Sequence, residues 1–240
     1  MLFYYIRHAD PIYHPDSLTP LGERQAEALA KRLAVHGLDK IYVSPSNRAQ
    51  LTAKPTCEML KKTAEIVEFV NEDNAWNRFT IERTDGKSGR LWLFHNLKTM
   101  ETFTSREIRE LGDRWFEHPD FADGNYGQSV EWIYDNVDAF FRELGYEHER
   151  YTGKFKVINP TKDRVALFAH QGMGIAFLSA LLDIPYPQFA SHFDITHTGV
   201  TVVEFEDRGG YAIPRILTHS NDSHIYREGL PLRYNNGWKF

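Results

Sequence analysis

Cysteine is nearly absent: Cys57 is the single one in 240 residues, so no internal disulfide can form and no cysteine pair can hold zinc. Long apolar runs are missing too. The opening run Leu2–Ile6 is too short for a signal segment, and nothing approaches the about 20 apolar residues that span a bilayer. Nor is there a basic excess. Against 28 Lys and Arg stand 33 Asp and Glu, a formal net charge of −5, which argues against indiscriminate binding to nucleic acid or a membrane surface. Repeats and low-complexity tracts are lacking as well. These absences lead us to expect a soluble, cytoplasmic protein in which any anionic ligand is caught by a local cluster of arginines against the average field. A 42% hydrophobic content lets a chain of this length bury a core without staples. The expected organisation is one domain over 1–240 with an insertion at about 74–127.

Short apolar runs predict buried strands at Leu2–Ile6, Lys40–Val43, Ile66–Val70, Val165–Ala169 and Val200–Phe205. Helical patterns lie between them. Thr19 is a good N-cap with Pro20 at the first helical position and Gly37 as a stop, and Ala26, Leu29, Ala30 and Leu33 form one stripe. A second helix from Asn47 carries Ala49, Thr52 and Ala53, with Pro55 expected to kink it or end it early. A third runs from about Ser129 to Leu144, turning Val130, Ile133, Val137, Phe140 and Leu144 inward. This alternation predicts an α/β fold: a three-layer α/β/α sandwich with a mostly parallel central sheet. In such sheets ligands sit beyond the carboxyl ends of the strands. The stretch 74–127 mixes Trp76, Trp92, Phe94 and Trp115 with Arg78, Arg83, Lys87, Arg90 and His95 and shows no strand period. It is expected to form a helical and loop lid over the site.

Three sets of reactive residues come just after strand-like runs: Arg7-His8 after Leu2–Ile6, Arg48 after Lys40–Val43, and His170 after Val165–Ala169. A parallel sheet would gather them at one edge, two imidazoles and two guanidinium groups around one pocket. That set suits phosphoryl transfer. A neutral imidazole is a nucleophile near pH 7, arginine forks match phosphoryl oxygens, and positioning plus charge supplies most of the catalysis. The amides after His170, beginning with Gln171 at a helix start, are expected to bind a further oxygen.

Arg7-His8-Ala9-Asp10 resembles the Arg-His-Gly/Ala signature of the histidine phosphatase superfamily, in its phosphoglycerate-mutase-like branch. Leu18-Thr19-Pro20-Leu21-Gly22-Glu23-Arg24-Gln25-Ala26 is similar to that branch's Leu-Thr-x-x-Gly-x-x-Gln-Ala, and Ser44-Pro45-Ser46-Asn47-Arg48-Ala49-Gln50-Leu51-Thr52-Ala53 to its Ser-Pro-x-x-Arg-Ala-x-x-Thr-Ala. Gly127-Gln128-Ser129 and Ala169-His170-Gln171-Gly172 resemble its Gly-Glu-Ser and Ser-His-Gly-Gly. The resemblance covers roughly 1–72 and 125–206. It implies that His8 is phosphorylated in the intermediate and that Arg7, Arg48 and His170 complete the phosphate pocket. It further implies a carboxylic acid that protonates the leaving oxygen, soon after the third strand. Glu72, in Val70-Asn71-Glu72, fits that place, with Asp73, Glu82 and Asp10 as rivals. Pro11-Ile12-Tyr13-His14 stands where phosphoglycerate mutases carry a longer segment, and their Glu-x-x-x-Gly-x-x-Glu-Gly run is missing. Both departures favour a phosphatase over a mutase.

The expectation is therefore a phosphatase for a small phosphomonoester, with a mutase or a non-catalytic phospho-ligand module as the alternatives. Asp10, Tyr13, Arg78 and Arg90 are candidates for selecting the rest of the substrate. No cofactor or metal is expected: His192 and His197 lie five apart, off one helical face, and no His-Glu-x-x-His occurs. Ser44 and Ser179 lack the Gly-x-Ser-x-Gly setting of a nucleophilic serine, and Gly172-Met173-Gly174 is too short for a dinucleotide fingerprint. Asn221-Asp222-Ser223-His224 is expected to be a structural turn, with packing near the pocket mouth as the alternative.

Overall fold

A computed structural model describes residues 1–83 and 86–232. Its central sheet has six strands: β1 (Leu2–Arg7), β2 (Lys40–Val43), β3 (Glu65–Ile66), β4 (Arg164–Ala169), β5 (Val200–Glu204) and β6 (Arg215–Asn221). Their spatial order is β6–β5–β1–β4–β2–β3. Strands β1, β4, β2 and β3 are parallel; β5 runs antiparallel to β1, and β6, antiparallel to β5, returns to the direction of β1. The register sets Arg7 beside Ala169, Phe168 beside Val43, and Ile6 beside Val200. The residues after β1, β2 and β4 therefore share one edge with the residues before β5.

Side chains alternate across this sheet as a two-residue period requires. Phe3, Tyr5, Val165, Leu167 and Val203 face one core with Ile133, Val137, Phe140 and Phe141. Ile6, Ala166, Phe168, Val200 and Val202 face another with Leu29, Leu33, Ala49 and Ala53. The first core lies under helices α6 (Tyr126–Glu143) and α7 (Gln171–Leu182), the second under α1 (Pro20–Ala34) and α2 (Asn47–Leu60). Three layers result, because each sheet face must bury its apolar rows against an apolar helix stripe.

Helix α1 starts as its sequence dictates: the Thr19 hydroxyl accepts from the Gly22 amide at 3.0 Å, one turn on. Gly22 is needed there, since a Cβ would lie 2.2 Å from the Asp10 carbonyl oxygen. Helix α2 does not end at Pro55 but runs to Leu60 and stops at Lys61 in the left-handed conformation. Proline removes one ladder bond, and burial of Ala49, Thr52, Ala53 and Thr56 on the inner face outweighs that loss. The strand expected over Ile66–Val70 is shorter. It ends at Ile66, and Glu68–Val70 forms a 3₁₀ turn, so Val70 is buried in the first core rather than in a ladder.

The segment 74–127 is only partly helical. Helix α3 (Glu72–Trp76) leads into a small antiparallel hairpin, Thr80–Glu82 with Arg90–Trp92, then α4 (Leu97–Phe103), α5 (Arg106–Leu111) and two 3₁₀ turns. Ring contacts among Phe103, Trp115, Phe121 and Tyr126 bind it into the first core. The described chain closes with α8 (Tyr186–His192) and α9 (Ser223–Arg227), the latter packed on α1. Among the described residues no helix is long and apolar enough to cross a membrane.

Candidate active site

The shared edge of the sheet carries the reactive side chains. His8 comes directly after β1 and is 3% exposed. Its Nδ1 lies 2.7 Å from the Ala9 carbonyl oxygen. An oxygen of this kind can only accept, so Nδ1 holds the proton and the lone pair falls on Nε2, the far side of the ring. The ring centroid stands 5.2 Å from that of His170 and 5.7 Å from that of His197. Burial, with help from the neighbouring His170 and Arg7, holds His8 well below the ordinary imidazole pKa. That shift favours the neutral ring.

His170 ends β4 and precedes α7. Its Nε2 lies 2.8 Å from the Ser44 hydroxyl, and its Nδ1 accepts from Arg48 Nη2 at 3.2 Å. A guanidinium has no acceptor, so this ring too is neutral with its proton on Nε2; burial first, then Arg48 and Arg7, lowers its pKa. Arg48 is aimed by Asp16, whose Oδ1 accepts from Nη1 at 3.0 Å while Oδ2 accepts from the Asn47 amide at 2.8 Å. The same carboxylate thus caps α2 and orients its arginine. Arg7 is anchored to the Ile195 carbonyl through Nη1 at 2.6 Å and to His197 Nε2 through Nη2 at 2.9 Å.

Glu72 opens α3 and grips the start of α7. Its Oε1 accepts from the Gly172 amide at 3.0 Å and its Oε2 from the Met173 amide at 2.9 Å. Burial raises the Glu72 pKa, while those two amides and then Arg7 and Arg48 pull it back. The expectation that this helix start holds a phosphoryl oxygen is thereby narrowed: two of its amides serve the carboxylate, as a helix N-terminus favours. The Gln171 side chain donates from Nε2 to Asp194. Gly172 is required at this junction, because a Cβ would lie 2.3 Å from the Trp92 ring.

The structure brings together Arg7, His8, Arg48, Glu72, His170 and Gln171. Asp10 is buried beside them, accepting from Thr19 Oγ1 at 2.6 Å and lying 3.6 Å from His197 Nδ1. Tyr13 is exposed, its ring 5.5 Å from the Arg48 guanidinium. Arg78 and Arg90 are engaged elsewhere. Arg78 stacks on Trp132 at 3.7 Å, and Arg90 bonds Thr80 and Glu82 within the hairpin. Of the rival acids, Asp73 lies in the first turn of α3 and Glu82 in that hairpin.

Two groups of residues escaped the sequence. His197 enters because β5 is antiparallel and begins, rather than ends, at the reactive edge. Ser44, Ser46 and Asp16 orient His170 and Arg48, and only the Ser-Pro-x-x-Arg spacing hinted at the first two. Beside the cluster, across Gln171 and Asp194, opens a cavity of about 520 Å³ whose walls include Phe94, His95, Met100 and Phe193.

Known proteins resemble this chain along most of its length. The family model described as histidine phosphatase superfamily (branch 1) matches residues 6–84 and 93–216, which includes most of the stretch 74–127 and breaks only at the hairpin. Phosphoserine phosphatase 1 of Hydrogenobacter thermophilus is 26% identical over 212 residues, 85% of this chain and 86% of its own. A phosphoserine phosphatase from Entamoeba histolytica, solved with 3-phosphoglyceric acid, superposes with a TM-score of 0.58 at 18% identity, covering 93% of this chain and 98% of that one. The mycobacterial glucosyl-3-phosphoglycerate phosphatase, solved with VO3, gives 0.56 at 17% identity over 90% and 97%.

Proposed function

Since the chain belongs to branch 1 of the histidine phosphatase superfamily, we propose that it hydrolyses a small phosphomonoester through a phosphohistidine on His8, using side chains alone. The observation that carries this reading is the convergence of His8, His170, Arg7 and Arg48 from separate stretches of chain, with the His8 proton fixed on Nδ1. The Nε2 lone pair attacks phosphorus as the bond to the leaving oxygen breaks, and protonated Glu72 gives that oxygen its proton. Arg7 and Arg48 hold the non-bridging oxygens. The Nδ1–H bond to the Ala9 carbonyl stabilises the charge that the ring acquires. Water then attacks phosphorus, the electrons of the N–P bond return to Nε2, and Glu72 takes the proton of the water. The products are the free alcohol and inorganic phosphate, and both side chains are restored.

Glu72 suits both halves. A bound phosphoryl dianion offsets the two guanidinium charges that depress its pKa, so burial prevails and the acid form is favoured when a proton must be given. Relatives named for phosphoserine and for glucosyl-3-phosphoglycerate support a small phosphorylated hydroxy compound as substrate class. The setting we infer is the cytoplasm, where a half-buried thiol such as Cys57 stays reduced. With p-nitrophenyl phosphate and a panel of sugar phosphates, phosphoamino acids and phosphoglycerates, the wild type should turn over and His8→Ala should not. Labelled substrate should leave an acid-labile phosphoenzyme in the wild type alone. Turnover retained in His8→Ala would remove the proposal.

A further inference from the structure

The nucleophile is also reached from outside the pocket, through α9. His224, on that helix, is 3% exposed although it lies far along the chain from Arg7-His8. Its Nε2 stands 2.9 Å from Thr198 Oγ1, and its Nδ1 stands 3.3 Å from Arg32 Nη1. Arg32, on α1, also donates from Nη1 to the Asn221 carbonyl at 2.8 Å. Thr198 Oγ1 in turn donates to the His197 carbonyl at 2.7 Å, and the Thr198 amide donates to the His8 carbonyl at 3.3 Å.

The directions of these bonds are forced. Arg32 can only donate, so His224 Nδ1 accepts and its single proton sits on Nε2. Thr198 spends its own proton on the His197 carbonyl and has a lone pair left for that Nε2–H. Burial, reinforced by Arg32, holds the His224 pKa at about 3, so the ring stays in this neutral form. The series of bonds ends on a residue in an uncomfortable backbone: Thr198 has φ +55°, a left-handed conformation that β-branched residues avoid. Thr198 in turn bonds the backbones of two histidines of the pocket, His197 against Arg7 and His8 at the nucleophile position.

We propose that Arg32 and His224 are positioning residues, a one-way hydrogen-bond chain that clamps the Thr198 turn and thereby sets His197, Arg7 and His8 for phosphoryl transfer. The proposal rests on the phosphatase reading above. Neither residue touches the reacting atoms. Losing the chain lets the turn relax, and a misplacement of the order of 1 Å at the nucleophile costs roughly a hundredfold in rate while leaving ground-state binding nearly intact.

The test is a double-mutant cycle on the full chain, His224→Ala against Thr198→Val, with His224→Gln as the rescue. Valine keeps the shape of threonine and removes the hydroxyl. Glutamine can accept from Arg32 and donate to Thr198. With p-nitrophenyl phosphate, His224→Ala and Thr198→Val should each lose roughly ten- to a hundredfold in kcat with KM within about twofold. The double variant should be no worse than either single one, and His224→Gln should recover part of the loss. Inhibition by vanadate, which reports the transition-state geometry, should weaken in parallel with kcat. Losses that multiply in the double variant, or wild-type kcat and vanadate inhibition in both singles, would overturn the chain. If the wild type hydrolyses nothing, the phosphatase reading itself has failed, which vanadate binding by the variants, measured through tryptophan fluorescence, keeps separate from failure of the chain.

Discussion

Alkaline solution should loosen a buried clamp around His148. This ring is fully shielded from solvent, with Nδ1 2.8 Å from Asp138 Oδ1 and Nε2 3.1 Å from Asp183 Oδ2. Two carboxylates can only accept, so both nitrogens carry protons and the ring is a cation. It lies flat on Phe155, with centroids 4.1 Å apart. The clamp ties α6, through Asp138, to the end of α7, through Asp183, and to the strand Tyr146–Glu149. Burial opposes the charge, but the bonds to Asp138 and Asp183 outweigh it and lift the pKa from 6.5 to about 9. The folded state therefore holds a proton that the unfolded chain gives up sooner. Its contribution is complete below pH 6.5, declines as pH rises, and is gone above about 9. At about 1.4 kcal/mol per pH unit the full contribution is about 3 kcal/mol, a large share of the roughly 5–15 kcal/mol typical of a domain. Urea unfolding of the wild type and of His148→Gln, monitored by far-UV circular dichroism between about pH 6 and 10, measures it. The stability gap between the two proteins should be about 3 kcal/mol near pH 6 and shrink steadily towards about pH 9.5. A gap independent of pH over that range would show that the ring is not charged, and the reasoning would fail.

Glu72→Gln should slow phosphoenzyme formation about a hundredfold or more for alkyl phosphates and much less for p-nitrophenyl phosphate, whose leaving group needs no proton, while hydrolysis of the phosphoenzyme slows alike for both. A comparable slowing of phosphoenzyme formation with both substrates would remove the acid role. The pH profile should be displaced to the acid side. Because His8 titrates well below 6.5 while the Glu72 pKa is raised, kcat should fall as pH climbs through the Glu72 pKa, and in Glu72→Gln that limb should vanish. Gly172→Ala should cost about 1–3 kcal/mol in thermal or urea unfolding, because the methyl group meets Trp92. It should also reduce kcat/KM by shifting the amides that hold Glu72.

Much of this site was readable in the chain because parallel strands deliver the residues at their carboxyl ends to one edge. Arg7-His8, Arg48 and His170 each come after an apolar run, and Phe168 and Ala169 do pair with Val43 and Arg7. Glu72 was placed by motif spacing, but its grip on Gly172 and Met173 depends on α3 docking against α7, which local pattern does not encode. His197 was missed for a simple reason. A buried strand reads the same in either direction, so the run from Val200 did not reveal that its beginning faces the pocket. Arg78 and Arg90 looked like anion ligands because a charged side chain in an aromatic stretch does not announce its partner. Trp132 lies more than fifty residues from Arg78, and Thr80 and Glu82 pair with Arg90 only once the hairpin forms. Pro55 does not end α2 early, because a single lost ladder bond is small beside a buried helix face.

The reversed fifth strand also sets a timetable for synthesis. His8 is made early, but the partners that fix Arg7 come 188 and 190 residues later. A ribosome adding roughly 5–20 residues per second leaves Arg7 without them for on the order of 10–40 s. Throughout that interval the nascent chain carries an unfinished pocket beside a sheet still lacking the neighbour on one flank of its central strand. A ribosome that stalls before residue 195 leaves a chain whose Arg7 lacks both of these partners, so the pocket is completed only late in synthesis.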